Sequence, residues 1–143
     1  LLAGGGASGE NVFVAIWDLD SGEVVHRWEW PKGGDPHSNI EELCFTQDGR
    51  FLAAASFRQD TAYLWDLASG EQVAELKHLE VYGLSFSPDG KTLATAGWDK
   101  KLRFWETSTG TLEREFEIKP EKDPDQRLGL LGDDTRLYTV RYA

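Results

Sequence analysis

The feature that most constrains this chain is that it repeats itself. Phe45-Thr46-Gln47-Asp48-Gly49-Arg50-Phe51-Leu52-Ala53 lies over Phe86-Ser87-Pro88-Asp89-Gly90-Lys91-Thr92-Leu93-Ala94 at an offset of 41 residues. The same offset pairs His37 with His78, Ile40 with Val81 and Leu43 with Leu84, and it shortens to 40 where Tyr63-Leu64-Trp65-Asp66 meets Arg103-Phe104-Trp105-Glu106. An earlier copy, Val14-Ala15-Ile16-Trp17-Asp18, precedes both. A faded one follows in Leu130-Leu131-Gly132-Asp133-Asp134-Thr135-Arg136-Leu137. A unit of this size is too small to bury a hydrophobic face alone, so it must stack on its neighbours.

Within each unit the periodicity is that of strands. Val24, His26, Trp28 and Trp30 alternate with Val25, Arg27 and Glu29; Leu112, Arg114, Phe116 and Ile118 alternate with Glu113, Glu115 and Glu117. A period of two gives one packed and one wetter face. Leu52-Ala53-Ala54-Ala55 and Leu93-Ala94-Thr95-Ala96 are small and largely apolar on both parities, as strands covered on both sides require. Asp48-Gly49 and Asp89-Gly90 mark tight hairpins, where glycine tolerates positive φ. Ser38-Asn39-Ile40-Glu41 matches a helix capping box. The aligned stretch Leu79 to Tyr82 has no cap before the same downstream strand, so a strand is expected there too.

Three Trp-Asp or Trp-Glu pairs (Trp17-Asp18, Trp65-Asp66, Trp105-Glu106), with the Ser-Pro-Asp-Gly and Ser-Gly turns in register, resemble the WD-repeat family. The resemblance covers nearly the whole chain. It implies an all-β fold of propeller blades, each of four antiparallel strands and roughly 40–45 residues. Residues 1–143 then form a single propeller segment: a partial blade over 1–30, full blades over 40–77 and 81–118, and a partial blade over 127–143. Propellers close with roughly four to eight blades. The expectation is an open arc, completed by self-association or by the remainder of a longer chain.

The resemblance also groups particular residues. Blades of this family are often braced by a buried hydrogen-bonded set, and His78, Thr95, Asp99 and Trp105 fit its positions. An indole N–H inside a packed core needs an acceptor, and a hydroxyl can take it and pass the chain on through imidazole to carboxylate. The unit that begins at His37 looks incomplete: Ala54 stands at the hydroxyl position and the acid is displaced to Asp60. A structural role is expected for the complete set, because no nucleophile elbow accompanies it.

The remaining chemistry-bearing residues point to no reaction. Gly4-Gly5-Gly6-Ala7-Ser8-Gly9 matches the dinucleotide fingerprint, but a β pattern follows instead of a helix, so it reads as a flexible turn. His26, His37 and His78 lack metal-ligand spacing, and Asp123-Pro124-Asp125 lacks calcium-loop spacing. No metal or cofactor is expected. Cys44 lies in the apolar run Leu43-Cys44-Phe45, as a core thiol would. Being the only cysteine, it rules out an internal disulfide; the compartment stays open, with a lean towards the cytoplasm. The formal net charge of −10 disfavours nucleic acid and anionic membranes.

Successive strands reverse direction, so the Asp-Gly and Ser-Gly turns fall on one rim and the irregular segments on the other. Trp98, Phe57, Arg58 and Trp30 lie on or beside the irregular rim. Aromatic and Arg side chains are the types enriched at interface hot spots, so these four form the expected partner surface. The function expected is a non-catalytic scaffold that binds other proteins. One alternative is the accessory propeller region of a larger enzyme. Another is a propeller holding a small ligand at its axis, for which Glu41, Glu42 and Glu80 are the available carboxylates.

Overall fold

The computed structural model describes residues 1–32, 38–57 and 59–117, with Phe57 described by its backbone alone. These residues form three antiparallel sheets and no helix. The first sheet holds β1 (Leu2–Ser8), β2 (Asn11–Trp17) and β3 (Val24–Pro31) in that order. The second holds β4 (Asn39–Phe45), β5 (Phe51–Phe57), β6 (Thr61–Asp66) and β7 (Glu71–Lys77). The third holds β8 (Val81–Phe86), β9 (Thr92–Gly97), β10 (Lys101–Glu106) and β11 (Leu112–Glu117). Every strand pairs with its chain neighbour, and no sheet closes on itself. This is an open propeller segment of successive blades. The expected partial blade at 127–143 lies outside the described residues.

The repeat extends to the irregularities of the backbone. In each sheet the pairing with the last strand slips immediately before a tryptophan, at Ile16/Trp17, Leu64/Trp65 and Phe104/Trp105. A second slip recurs at Ile40/Glu42 and Val81/Gly83. The turns that follow the tryptophans place Gly22, Gly70 and Gly110 at φ of 73°, 74° and 69°. A side chain there would be strained, which is why each of these turns carries glycine.

One sequence expectation is corrected. Gly4, Gly5 and Gly6 are not a flexible turn; they lie within β1, paired with Ala15, Val14 and Phe13. The hairpin turn is confined to Gly9 and Glu10. The reason is proximity: β1, which corresponds to β5 and β9 of the later blades, lies against β4 of the next blade, as β5 lies against β8. A Cβ on Gly5 would fall 2.7 Å from Ile40 of the next blade. Glycine within this strand makes room for the Ile40 side chain of the neighbouring blade.

The core consists of two layers between blades. Val14, Ile16, Leu52, Ala54, Tyr63, Trp65 and Leu67 fill the first seam. The second seam joins Ala53, Ala55, Leu64 and Leu76 to Val81, Leu84, Leu93 and Trp105. On β11 the apolar parity is exposed among the described residues, with Phe116 at 52% and Leu112 at 45%. Expecting one packed face from its alternation therefore does not hold for this strand, because no described blade lies beyond it.

Candidate functional site

The third blade places His78, Thr95, Asp99 and Trp105 in one hydrogen-bonded chain. Strand β9 carries Thr95, β10 carries Trp105, the loop between them carries Asp99, and His78 follows the last strand of the blade before. Trp105 Nε1 donates to Thr95 Oγ1 at 2.9 Å; Thr95 Oγ1 and His78 Nδ1 are 2.7 Å apart; His78 Nε2 and Asp99 Oδ1 are 3.0 Å apart. The indole can only donate, so it sets the direction of the rest. Thr95 then donates to Nδ1, and the imidazole donates from Nε2–H to the carboxylate. Every proton is used with a neutral His78. Its pKa is lowered, mainly by burial and next by the Arg103 guanidinium, against the opposing pull of Asp99. Asp99 also accepts from the Lys101 backbone N–H at 3.1 Å and pairs through Oδ2 with Arg103 Nη2 at 2.8 Å. Gly97 completes the arrangement: a Cβ there would sit 2.5 Å from His78 Nε2.

The second blade solves the same problem with different chemistry. Trp65 occupies the position of Trp105, but Ala54, paired with Tyr63 as Thr95 is with Arg103, stands where the hydroxyl would be. Trp65 Nε1 has no hydrogen-bond partner among the described residues. The acid position is not held by Asp60, as the sequence suggested, but by Gln59. Strand pairing sets Ala55 level with Ala96 and Ala62 level with Leu102, so the offset falls from 41 to 40 between them. The second blade carries one extra residue there, and Gln59 comes level with Asp99. Asp60 has the positive φ of Lys100 (50° and 60°) and accepts from the Glu80 backbone N–H at 3.1 Å. Gln59 Oε1 accepts from Trp30 Nε1 at 2.8 Å and from the Tyr63 hydroxyl at 3.1 Å, and Gln59 Nε2 donates to the Pro31 carbonyl at 3.1 Å. The same pairing sets Trp30 level with His78 and Tyr63 level with Arg103. The triplet Trp30, Gln59 and Tyr63 therefore stands where His78, Asp99 and Arg103 stand one blade later.

Three sheets with one turn grammar, repeated down to their bulges, are the signature of a propeller of WD repeats. The pattern of the WD domain, G-beta repeat, matches residues 32–66 and 70–106, together half of the chain. The chain belongs to the WD40 family. It is similar to a component of chromatin assembly factor 1 of Gallus gallus, with 34% identity over 72% of this chain and 21% of that protein. It is also similar to the beta chain of a guanine nucleotide-binding protein of Arabidopsis thaliana, with 26% identity over 70% of this chain and 28% of that protein. A coronin-like protein of Saccharomyces cerevisiae is 36% identical over 91% of this chain and 22% of its own length. The chain thus spans about a fifth to a little over a quarter of these three relatives.

On this WD40 segment the residues expected to form a partner surface have different fates. Trp98 lies half-buried in the loop between β9 and β10. Phe57 ends β5 at the corresponding loop of the second blade, and Arg58 lies outside the described residues, as does His37. Trp30 is not a rim residue awaiting a partner. Its indole packs 4.4 Å from the Tyr63 ring and 6.0 Å from Trp65, and it is hydrogen-bonded to Gln59. The alternation that placed it near the rim also turns it towards the next blade. Among the carboxylates weighed for an axial ligand, Glu42 Oε2 accepts from the Leu84 backbone N–H of the adjacent blade at 2.8 Å and Glu41 accepts from Asn39. Burial, and secondarily Glu42, push the Cys44 thiol up to about 12, which keeps it protonated and inert. The alignment of Trp30 with His78 was not legible in the sequence, because the connection at Pro31 to Ser38 shifts the count.

Proposed function

We propose that this segment is a non-catalytic platform for other proteins, within a propeller completed by further blades. The observation that carries the reading is the closed state of the hydroxyl–imidazole–carboxylate set of the third blade. Thr95 is fully buried, its oxygen receives the Trp105 N–H, and both imidazole nitrogens of His78 are engaged. The hydroxyl and the imidazole have no face open to a substrate, and the partly exposed Asp99 carboxylate is held by His78 and Arg103, so the set acts as a brace. The names of the relatives support the same reading, since two of them are components of assemblies. The partner surface we assign to the irregular rim around Trp98, with Phe57 and Arg58 from the neighbouring loop. Nucleic acid and membranes are not its partners on this reading, because the net charge of −10 repels phosphate.

The test is affinity capture on the tagged full-length protein that carries this segment. Proteins retained by the wild type should be lost from Trp98→Ala and kept by Glu71→Ala, a change on the exposed outer strand β7, when both variants melt as the wild type does. Full retention by Trp98→Ala would move the partner surface off this rim.

A further inference from the structure

We propose that the seam between the second and third blades, on the rim of short turns, is a groove for a basic segment of a partner protein. It would receive a Lys or Arg side chain. The site lies opposite the Trp98 rim and rests on the scaffold reading, as a second contact of the same platform.

The groove has a volume of about 580 Å³. One wall comes from the β4–β5 turn, with Asp48 and Arg50. The other comes from the β8–β9 turn, with Asp89 and Lys91, and from the β10–β11 turn, with Glu106 and Thr107. A shallower depression of about 230 Å³ shares Asp48 and Asp89 and continues it along the rim.

Two independent observations point to a ligand. The first is Thr107. It is 1% exposed, it lies in the groove wall, and its hydroxyl has no partner among the described residues. The repeat shows what an ordinary occupant looks like. Leu67 holds the same place one blade earlier: Leu67 N donates to Arg50 O at 2.7 Å, as Thr107 N donates to Lys91 O at 2.9 Å. Leu67 fills the seam between the first and second blades with apolar atoms. A buried hydroxyl in its place is unfavourable unless something bonds to it.

The second observation is charge. Asp48, Asp89, Glu106 and Glu113 line the groove against two cations, Arg50 and Lys91. Arg50 is already paired with Asp66, with Nε and Nη2 at 3.2 and 3.0 Å. The carboxylates are fixed in place. Asp48 Oδ1 accepts from the Thr46 hydroxyl at 2.6 Å and from Arg50 N at 3.0 Å. Asp89 Oδ1 accepts from the Ser87 hydroxyl at 2.7 Å and from Lys91 N at 3.1 Å. These hydroxyl bonds hold both acids below the usual carboxylate range, so they are ionised whenever a partner meets them. An incoming cation meets negative charge that needs no reorganisation and a hydroxyl that can accept its proton.

The experiment is fluorescence anisotropy on the full-length protein, with a fluorescein-labelled Arg-Gly repeat peptide and its Glu-Gly counterpart as probes. The Arg peptide binds and the Glu peptide does not. Thr107→Val keeps the shape and removes the hydroxyl; it weakens binding about tenfold, and Thr107→Ser restores it. Glu113→Lys weakens binding by about tenfold or more, and Lys91→Glu strengthens it severalfold. Glu10→Gln, on the opposite rim, changes nothing. The proposal is overturned if Thr107→Val binds like the wild type. It is equally overturned if Glu10→Gln weakens binding as much as the groove variants, which would mean a diffuse attraction to an acidic surface. Trp98→Ala should leave the peptide affinity intact. Failure of the groove and failure of the Trp98 surface are therefore read out separately.

Discussion

The second and third blades hold the same joint with opposite chemistry. In the third, a neutral imidazole lies between a threonine hydroxyl and an aspartate, and the aspartate is countered by Arg103 at 2.8 Å. In the second, an indole and a phenol converge on the side-chain amide of Gln59, with no formal charge in the set. Its tryptophan lacks an acceptor among the described residues, and its ring is instead stacked by Trp28 at 4.9 Å. The joint therefore requires a relationship rather than a residue list. A donor at the end of the preceding blade must meet an acceptor in the loop between the second and third strands. Hydrogen bonding supplies the fit in one blade and aromatic packing supplies much of it in the other.

The largest effect should come from the residue that serves two partners. Thr95→Val keeps the volume but strands both the Trp105 N–H and His78 Nδ1, and should destabilise the chain by about 2–3 kcal/mol in urea melts. A loss no greater than that of an exposed threonine, such as Thr109→Val, would break the hydrogen-bonded account of this blade. The neutral joint should be weaker. Gln59→Leu removes the acceptor of two neutral donors and should cost about 1–2 kcal/mol, whereas Asp60→Asn, which suits a positive φ, should stay within about 0.5 kcal/mol. If Asp60→Asn costs more than Gln59→Leu, the structural equivalence of Gln59 and Asp99 is wrong.

The difference between the two joints also shows what a sequence can and cannot disclose. The blades were legible because Asp-Gly turns, Trp-Asp pairs and period-two alternation recur at a fixed spacing. Residues His78, Thr95, Asp99 and Trp105 could be grouped because each matches a motif position. Gln59 could not, since no motif prescribes a glutamine there; the one-residue insertion moves the count from Arg58 to Gln59, next to the only nearby acid, Asp60, which drew the reading instead. Trp30 was misplaced for a related reason: the longer connection after Pro31 hides that it is level with His78. The glycines of β1 were read as a turn because a close approach between blades has no local signature. Thr107 carried no signal at all until Leu67 was seen at the same place in the repeat.

The most direct test of the contrast is its response to acid. The pKa of His78 is depressed by burial, so the folded protein holds it neutral while the unfolded chain protonates it near its ordinary value of 6.5. Its contribution to stability is fully present above that value and is lost as pH falls towards the lowered folded value. The second joint has no group that titrates in this range. The measurement is the destabilisation caused by His78→Gln and by Trp30→Phe, each from urea melts between about pH 8 and pH 5. The account predicts that the cost of His78→Gln shrinks steadily below about pH 6.5 while that of Trp30→Phe stays constant. A cost of His78→Gln that is flat or grows on acidification would mean that Asp99 holds a charged imidazolium, and would contradict it.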